Sequence, residues 1–224
     1  MCKLKSAIIL KDRIFMPDYD SHSDMLKELG IADDYLGASK KFVRAELSPA
    51  DDDVFSDIDG WSFKVDQDIL PEWFSEEEYK PKMVEAVKEW AKEHIHVGVD
   101  GLKIAAGKNH FIKNCKNVEV KNSTVTAWEN STVTARGNST VKAWENSTVT
   151  ARENSTVTAR ENSTVTAREN STVKTDYFCR WYKKDTLVLC DNATFKDAFE
   201  KVIYQSGDFK LVTVESGKKI GEVE

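Results

Sequence analysis

Long apolar runs are missing from this 224-residue sequence, and no stretch is long enough to span a bilayer. The first apolar residues soon meet Lys11-Asp12-Arg13, which does not fit the pattern of a signal peptide. The four cysteines lack metal-binding spacing; they are Cys2, Cys115, Cys179 and Cys190. These absences predict a cytoplasmic protein with reduced thiols and no membrane partner.

Motifs that carry chemistry are also missing. The sequence has no phosphate-binding glycine loop, no nucleophile elbow and no zinc motif, so it indicates no enzyme class, no metal and no cofactor. Residues 1–110 carry 15 Lys and Arg against 23 Asp and Glu, whereas residues 111–224 carry 17 against 15. The acidic first half argues against nonspecific binding of nucleic acid.

An eight-residue repeat dominates what is present. From Asn122 the chain reads NSTVTAWE, NSTVTARG, NSTVKAWE and then NSTVTARE three times. A diverging copy, NSTVKTDY, ends at Tyr177. A short fixed period without insertions predicts one structural unit that is stacked on copies of itself.

Each octad has the pattern of a β-strand followed by a polar corner. Side chains alternate between the two faces of a strand, so either the Ser-Val-Ala set or the Thr-Thr-Arg set points inward. The second choice would bury arginines without partners at a prohibitive cost, so Ser-Val-Ala is predicted to face the core. The predicted core valines are Val125, Val133, Val141, Val149, Val157, Val165 and Val173.

Differences between the copies indicate how many octads form one coil. A triangular coil would need three octads, and a flattened coil needs two, or about sixteen residues. With two, one face collects the substituted positions, and the other keeps Thr-Val-Thr throughout with arginines in file. The substituted positions are Trp128, Lys142, Trp144 and Lys174, and the arginines are Arg136, Arg152 and Arg168. This pattern favours a β-solenoid with two octads per coil.

Two features of the coil geometry follow from that arrangement. Trp128 and Trp144 should stack one coil apart, at roughly 4.8 Å along the solenoid axis. The corner asparagines should form a ladder of hydrogen bonds from coil to coil.

The repeat resembles a known type of protein surface. Ser-Thr-x-Thr-Ala on an eight-residue half-repeat and a sixteen-residue full repeat resembles the central domain of bacterial ice nucleation proteins. It is also similar to the Thr-x-Thr arrays of solenoidal antifreeze proteins. The resemblance implies a surface that orders water. This sequence departs from those families because Arg or Trp lies beside each Thr pair and because it has far fewer copies than an ice nucleator.

The first hundred residues predict a compact α+β head. The predicted elements are strands at Ser6–Leu10, Arg13–Met16, Lys41–Leu47 and Trp61–Val65, and helices at Asp24–Leu29 and Lys82–His94. The run WSFKVDQDILPEWF, with the preceding KKFVRAEL and the following helix, resembles the head of an uncharacterised bacterial and prophage protein family. In that family a tandem-repeat tail follows the head, and the resemblance implies no established activity.

The chain is therefore predicted to contain four regions: an α+β head (1–100), a linker and N-terminal cap (101–121), the octad-repeat solenoid (122–177) and a β-rich C-terminal capping region (178–224). In Val118-Glu119-Val120 the apolar residues occupy even positions, whereas the repeat uses odd ones, so the alternation slips once near Lys121. We interpret this segment as an imperfect first coil that covers the open end of the solenoid.

The C-terminal region is expected to cover the other end. Closing strands are predicted at Leu187–Leu189, Lys201–Tyr204 and Phe209–Val214, and the tail after Ser216 should fray. The aromatic residues expected to cover the thin core are Tyr177, Phe178, Trp181 and Tyr182.

Three groups of polar residues in the head are candidates for a site. His94-Ile-His96 has a metal-type arrangement, but a histidine is favoured at a helix end in any case. The aspartates before Gly60 fail the spacing of an EF-hand, which indicates a solvated loop; they are Asp51, Asp52, Asp53, Asp57 and Asp59. Glu46, Asp66 and Asp68 could supply a carboxylate pair for acid–base chemistry, although nothing in the sequence brings them together.

The regular threonines form the main candidate interaction surface. They are Thr132, Thr134, Thr148, Thr150, Thr164 and Thr166, and Trp128 and Trp144 are added from the other face. Such a grid could order water or dock another sheet. The alternative is that threonine suits outward positions of a strand and that duplication of the octad produced the grid without any function.

The sequence thus favours a non-enzymatic structural or binding protein whose solenoid spaces or displays the head. Self-association through a flat face of the solenoid is the predicted interaction, and no other protein partner is identified. Ice binding and an enzyme in the head are the alternatives.

Overall fold

The computed structural model describes residues 5–34, 40–105, 109–160 and 163–175, and the backbone of four later strands at 186–189, 194–197, 202–205 and 212–215. The chain divides into two units, Met1–Ile95 and His96–Glu224. Neither of the helices in the described part of the chain is long and apolar enough to cross a bilayer. The aromatic cover expected at 177–182 and the tail after 216 lie outside the described residues.

An antiparallel sheet of four strands forms the centre of the first unit. The strands are β1 (Lys5–Ile9), β2 (Ile14–Phe15), β3 (Val43–Ser48) and β4 (Ser62–Val65), in the order β2-β1-β3-β4. All residues of β1 and β3 are buried, which is expected of central strands that are covered on both faces. Two short 3-10 turns at Ala50–Asp52 and Ile58–Gly60 lie between β3 and β4.

The first helix, α1, spans His22–Glu28 and begins where Ser21 caps it. The Ser21 hydroxyl oxygen accepts a hydrogen bond from the Asp24 amide at 3.3 Å, which satisfies one of the exposed amides of the first turn. Met25 and Leu26 on its inner side are fully buried and belong to one apolar cluster of the head.

The second helix, α2, spans Glu76–His94 and is longer than the predicted Lys82–His94. Ser75 explains the earlier start, because its hydroxyl oxygen accepts a hydrogen bond from the Glu78 amide at 3.2 Å. Three glutamates in the first turn also stabilise this start, because their negative charges interact favourably with the positive end of the helix dipole. Pro81 therefore lies inside the helix, where it costs one intrahelical hydrogen bond without ending it.

The second unit is a β-solenoid in which all strands before the last two alternate between two sheets. The strands are β5 (Ile95–Val97), β6 (Lys103–Ala105), β7 (Asn109–Lys113), β8 (Val118–Lys121), β9 (Thr124–Trp128), β10 (Thr132–Arg136), β11 (Thr140–Ala143), β12 (Thr148–Ala151), β13 (Thr156–Ala159), β14 (Thr164–Ala167), β15 (Thr172–Thr175), β16 (Thr186–Leu189), β17 (Thr194–Asp197), β18 (Val202–Gln205) and β19 (Val212–Glu215). One sheet has the order β19-β16-β14-β12-β10-β8-β6, and the other has β18-β17-β15-β13-β11-β9-β7-β5. Each octad therefore supplies one strand, and two octads complete a coil.

Strand register confirms the sixteen-residue coil. Thr132 pairs with Thr148 and Thr148 pairs with Thr164, in parallel strands of the same sheet. The predicted slip also occurs, since Val118 pairs with Val133, fifteen residues away. Residues 101–121, expected to form a linker and cap, contribute parallel strands to both sheets, so the solenoid begins before the first octad.

The core of the solenoid is the predicted file of inward side chains. All seven valines are at most 3% exposed, and the alanines two residues further along the strands are buried with them from Ala127 to Ala167. Each buried valine contributes on the order of 1.5–3 kcal/mol. Larger side chains such as Ile112 continue the same cluster through the coils that precede the octads.

The inward serines are buried because their hydroxyls have partners. Ser131 Oγ donates to the Trp128 carbonyl at 2.6 Å, and Ser147 Oγ donates to the Trp144 carbonyl at 2.6 Å. The same bond to the carbonyl three residues earlier recurs at Ser155 and at later corners. A buried hydroxyl without such a partner would be costly, so this bond allows a small polar residue at each corner.

The corners are held from coil to coil by more than the predicted asparagines. Asn122 Oδ1 accepts from the Asn138 amide at 3.0 Å, as a ladder requires. Glutamates do the same elsewhere: Glu153 Oε2 accepts from the Gly137 amide at 2.8 Å, and Glu169 Oε2 accepts from the Glu153 amide at 2.7 Å. Positive φ angles at several corner glutamates show that the turn needs a left-handed residue, a conformation that Gly137 adopts without a side-chain penalty.

The end of the solenoid changes from parallel to antiparallel pairing. Strands β16 and β17 continue the two sheets in parallel, and β17 was not among the predicted closing strands. Strands β18 and β19 then pair antiparallel with them, and β16, β18 and β19 overlap the three predicted closing segments.

We expect the substitution Val149→Asp to lower the free energy of unfolding by roughly 3–5 kcal/mol, because it places a charge without a partner in the core. Thr148→Asp is the matched control, since Thr148 precedes it on the same strand and is exposed. Urea unfolding followed by circular dichroism measures both. Equal stability of the two variants would contradict the inward assignment of the valines.

Candidate functional site

The predicted threonines form two straight rows on one sheet of the solenoid. Thr132, Thr148 and Thr164 are in register in β10, β12 and β14, and Thr134, Thr150 and Thr166 form the second row. We call these six residues the threonine face. Thr148 is exposed and the other five are half-buried, and none of the six positions carries a large side chain.

Arginines border the threonine face on one side. Arg136 ends β10, and Arg152 and Arg168 come directly after β12 and β14, so the three lie in file as the sixteen-residue coil predicts. Their backbones keep the register, since the Arg152 amide donates to the Ala135 carbonyl at 3.0 Å and the Arg168 amide donates to the Ala151 carbonyl at 3.0 Å. Any partner that lies flat on the threonines would therefore meet a row of positive charge at one edge.

The opposite sheet carries a row of aromatic residues. The rings of Trp128 and Trp144 are stacked with centroids 6.1 Å apart and planes at 22°. Phe111 precedes them with a centroid distance of 6.2 Å, and the Arg160 guanidinium lies 4.4 Å from the Trp144 ring centroid. The predicted stack is present, and its tilt makes the centroid separation longer than the coil spacing.

This aromatic row mainly supports the coils. The rings of Trp128 and Trp144 contact each other and their neighbours Phe111 and Arg160, and both tryptophans are half-buried. Aromatic pairs of this geometry contribute roughly 0.5–1.5 kcal/mol beyond their buried area. Lys142 also pairs with Thr126 and Thr158 in the same sheet, so charge interrupts the threonine row on this side. The threonine face is the more uniform of the two surfaces.

The two predicted histidines have different surroundings. His94 is the last residue of α2, where it is buried, hydrogen-bonds the Trp90 carbonyl through Nδ1 at 2.8 Å and stacks on the Trp90 ring. His96 lies in β5 and stacks on His110, with 3.2 Å between its Nε2 and the His110 Nδ1. The helix-end interpretation of His94 is thus supported, and His110 is a partner that the sequence did not suggest.

The aspartates before Gly60 form a turn and not a calcium loop. Asp53 Oδ1 accepts from the Phe55 amide at 3.0 Å, and Asp57 Oδ1 accepts from the Asp59 amide at 3.2 Å. The Asp59 carboxylate also lies 2.7 Å from the Lys88 ammonium. These local bonds give Asp53, Asp57 and Asp59 structural partners.

A buried lysine in the head was not predicted. Lys5 is 1% exposed in β1, and its ammonium donates to the Pro17 carbonyl at 2.8 Å. Its Nζ also lies 3.4 Å from Asp20 Oδ1 and 4.9 Å from the centroid of the Trp90 ring. Burial lowers the pKa of Lys5, while the Asp20 carboxylate acts in the opposite direction. These partners tie β1 to the segment before α1.

Three titratable side chains that are far apart in sequence meet elsewhere in the head. His22 is the first residue of α1, Glu46 lies within β3, and Asp66 follows β4. One nitrogen or oxygen atom of each lies within 4.8 Å of those of the other two. His22 and Glu46 are each 6% exposed, whereas the Asp66 side chain is 47% exposed. We call this group the His-Glu-Asp cluster.

Strand pairing explains how the two carboxylates meet. Glu46 is opposite Lys64 in the β3–β4 ladder, and the Asp66 amide donates to the Arg44 carbonyl at 2.9 Å, which continues that ladder. Asp66 therefore lies diagonally across from Glu46 on the same face of the sheet. The structure brings together two members of the proposed carboxylate group, and Asp68 does not belong to the cluster.

Sequence reasoning missed the third member of the cluster. His22 reaches it because Ser21 starts α1 at that point, and its Nε2 lies 3.2 Å from the Ala45 carbonyl oxygen. Positions 22, 46 and 66 have no spacing that links them, so only the pairing of β3 with β4 and the position of α1 reveal the group.

Comparisons with known proteins give no relative for the chain: no family model matches it, and neither does any curated protein or solved structure. The resemblances of the repeat to ice nucleation proteins and of the head to prophage proteins stay predictions.

Proposed function

We propose that this protein is a non-enzymatic structural protein in which the solenoid is a rigid support that spaces or displays the head. The observation that supports this proposal is the continuous parallel pairing from β6 to β17 around one buried file of side chains. In such a stack each coil contacts only the coils next to it. The number of coils therefore sets the length of the support, and the pairing between coils sets its stiffness.

Insertion of octads tests the support directly. We expect six additional octads after Glu153, which complete three coils, to lengthen the solenoid by about 14 Å and to leave its thermal unfolding temperature close to that of the parent protein. Small-angle X-ray scattering measures the length, and circular dichroism measures the unfolding temperature.

Five additional octads are the matched control for the six. An odd number moves β16 and β17 to the opposite sheets and changes the strands with which β18 and β19 pair, so we expect a lower unfolding temperature. If odd and even insertions behave alike, the coil is not the unit of the support.

We further propose that two copies associate weakly through the threonine face. Its rows are uninterrupted by charge over three coils, whereas Lys142 and Lys174 interrupt the other sheet. The face measures about 15 by 14 Å from strand length and spacing, or roughly 200 Å². Stable complexes bury about 800 Å² on each partner. Association is therefore expected only at high concentration.

Thr150→Lys is expected to abolish this association, because it places a charge at the centre of the threonine face. Thr158→Lys is the matched control: Thr158 has the same octad position on the other sheet, between Lys142 and Lys174 in register. Sedimentation equilibrium over a wide concentration range measures the association. A wild-type protein that stays monomeric at every concentration would refute this part of the proposal.

Ordered-water or ice binding is a second candidate function, and one observation favours it. The six threonines repeat about 6.6 Å along each strand and about 4.8 Å between coils, which makes a regular two-dimensional array of hydroxyl and methyl groups. The array is small because it covers three coils, and an arginine row borders it.

Thermal hysteresis separates this second candidate from a purely structural role. We expect a measurable depression of the freezing point for the wild-type protein and for Thr158→Lys, and its loss for Thr150→Lys. Ice crystals that grow in the wild-type solution as they do in buffer would exclude ice binding by the threonine face.

A further inference from the structure

The orientation of His22 shows that one of its ring nitrogens is directed at the two carboxylates of the His-Glu-Asp cluster. Its Nε2 is 3.2 Å from the Ala45 carbonyl oxygen, which can only accept a hydrogen bond, so Nε2 carries the hydrogen and donates it. In the neutral ring Nδ1 then holds a lone pair. That atom is 3.8 Å from Asp66 Oδ2, too far for a hydrogen bond.

Glu46 adds a buried negative charge at the same place. It is 6% exposed, and no hydrogen bond or ion pair reaches its carboxylate from the described residues. The nearby Arg44 does not serve it, because the Arg44 Nη2 atom pairs with Asp33 Oδ1 at 2.5 Å and donates to the Asp34 carbonyl at 2.9 Å. A cation bound between Glu46 and Asp66 would offset the partial desolvation of Glu46 and the repulsion between the two neighbouring carboxylates.

We propose that His22, Glu46 and Asp66 bind a divalent metal ion. The donors are one imidazole nitrogen and two carboxylate oxygens, a set that suits Zn²⁺ or Mn²⁺. The half-exposed Asp66 marks the side on which the ion enters and on which water completes its coordination. The Ala45 carbonyl orients the ring by accepting from the other nitrogen, as acceptors behind metal-bound histidines commonly do.

The distances require a small adjustment of the side chains. Bonds of about 2.1 Å in a tetrahedral site place neighbouring donors about 3.4 Å apart. The His22–Asp66 distance is 3.8 Å, and all three donors lie within 4.8 Å of one another. Side-chain rotations of the glutamate and the aspartate that move their carboxylate oxygens by about 1 Å would bring the donors to this spacing.

The site stands apart from the support role of the solenoid. It lies wholly within the first unit, on α1, β3 and the residue after β4. Failure of the solenoid proposals would leave it unaffected, and failure of metal binding would leave them unaffected.

Calorimetric titration of the full chain with MnCl₂ and, separately, ZnCl₂ tests the proposal after chelator treatment and removal of the chelator. We expect saturation at one ion per chain for at least one of the two metals. Asp66→Asn should weaken that binding by about tenfold or more, since it removes a ligand. Asp68→Asn is the matched control, because Asp68 is an exposed carboxylate two residues further along the chain. The metal affinity of this variant should equal that of the wild type.

Glu46→Gln supplies a second, independent readout. In chelator the variant should unfold at a temperature equal to or above that of the wild type, because it removes a buried charge. The metal should raise the unfolding temperature of the wild type and not that of the variant.

Two results would overturn the proposal. One is the absence of saturable binding of either metal to the wild-type chain. The other is binding that Asp66→Asn and Glu46→Gln leave unchanged, which would place the ion elsewhere on the chain.

Discussion

The parallel hydrogen bonding between coils depends on one alternation, in which serine, valine and alanine point inward and threonine points outward. Side chains change face with every residue of a strand, so a slip of one residue would expose the valines and bury the threonines and arginines. The sixteen-residue register prevents that slip through the whole repeat. The register is fifteen at two neighbouring strand pairs, β7–β9 and β8–β10, and these are the places where the apolar positions change from even to odd. Burial of the valines therefore fixes the register between strands, and that register fixes which residues lie next to one another on the surface.

A core of valine and alanine is thin, and this limits what the solenoid can be. Its stability is the sum of similar contributions from neighbouring coils, and each open end would expose an unpaired strand edge. At the N-terminal side, larger residues such as Ile112 belong to the same core. At the other side, β18 and β19 reverse direction and pair antiparallel with the last parallel strands. The repeat thus supplies length, and the segments around it supply the ends.

The head follows different rules, because it buries charged groups. Lys5 and Arg44 are almost fully buried, and each has carbonyl and carboxylate partners from nearby loops. Glu46 is equally buried, and the groups beside it are the His22 nitrogen and the Asp66 carboxylate. This contrast is the reason that we interpret the cluster as a site for a cation and the other two residues as structural.

The sequence by itself determined the strand, the inward set, the two-octad coil and the Trp128–Trp144 stack, because each follows from a local period of two within a period of eight. It also located the short first helix, since Ser21 and the residues after it act through neighbours in the chain. It misplaced the start of α2, because Pro81 is a stronger visible signal than Ser75, although the cap and the acidic first turn prevail in the structure. Tertiary structure alone decided the pairing of His96 with His110, the burial of Lys5 and the meeting of His22, Glu46 and Asp66. Repeats carry their own contacts in their spacing, whereas the residues of the head meet through strand pairing and helix placement, which no local pattern specifies.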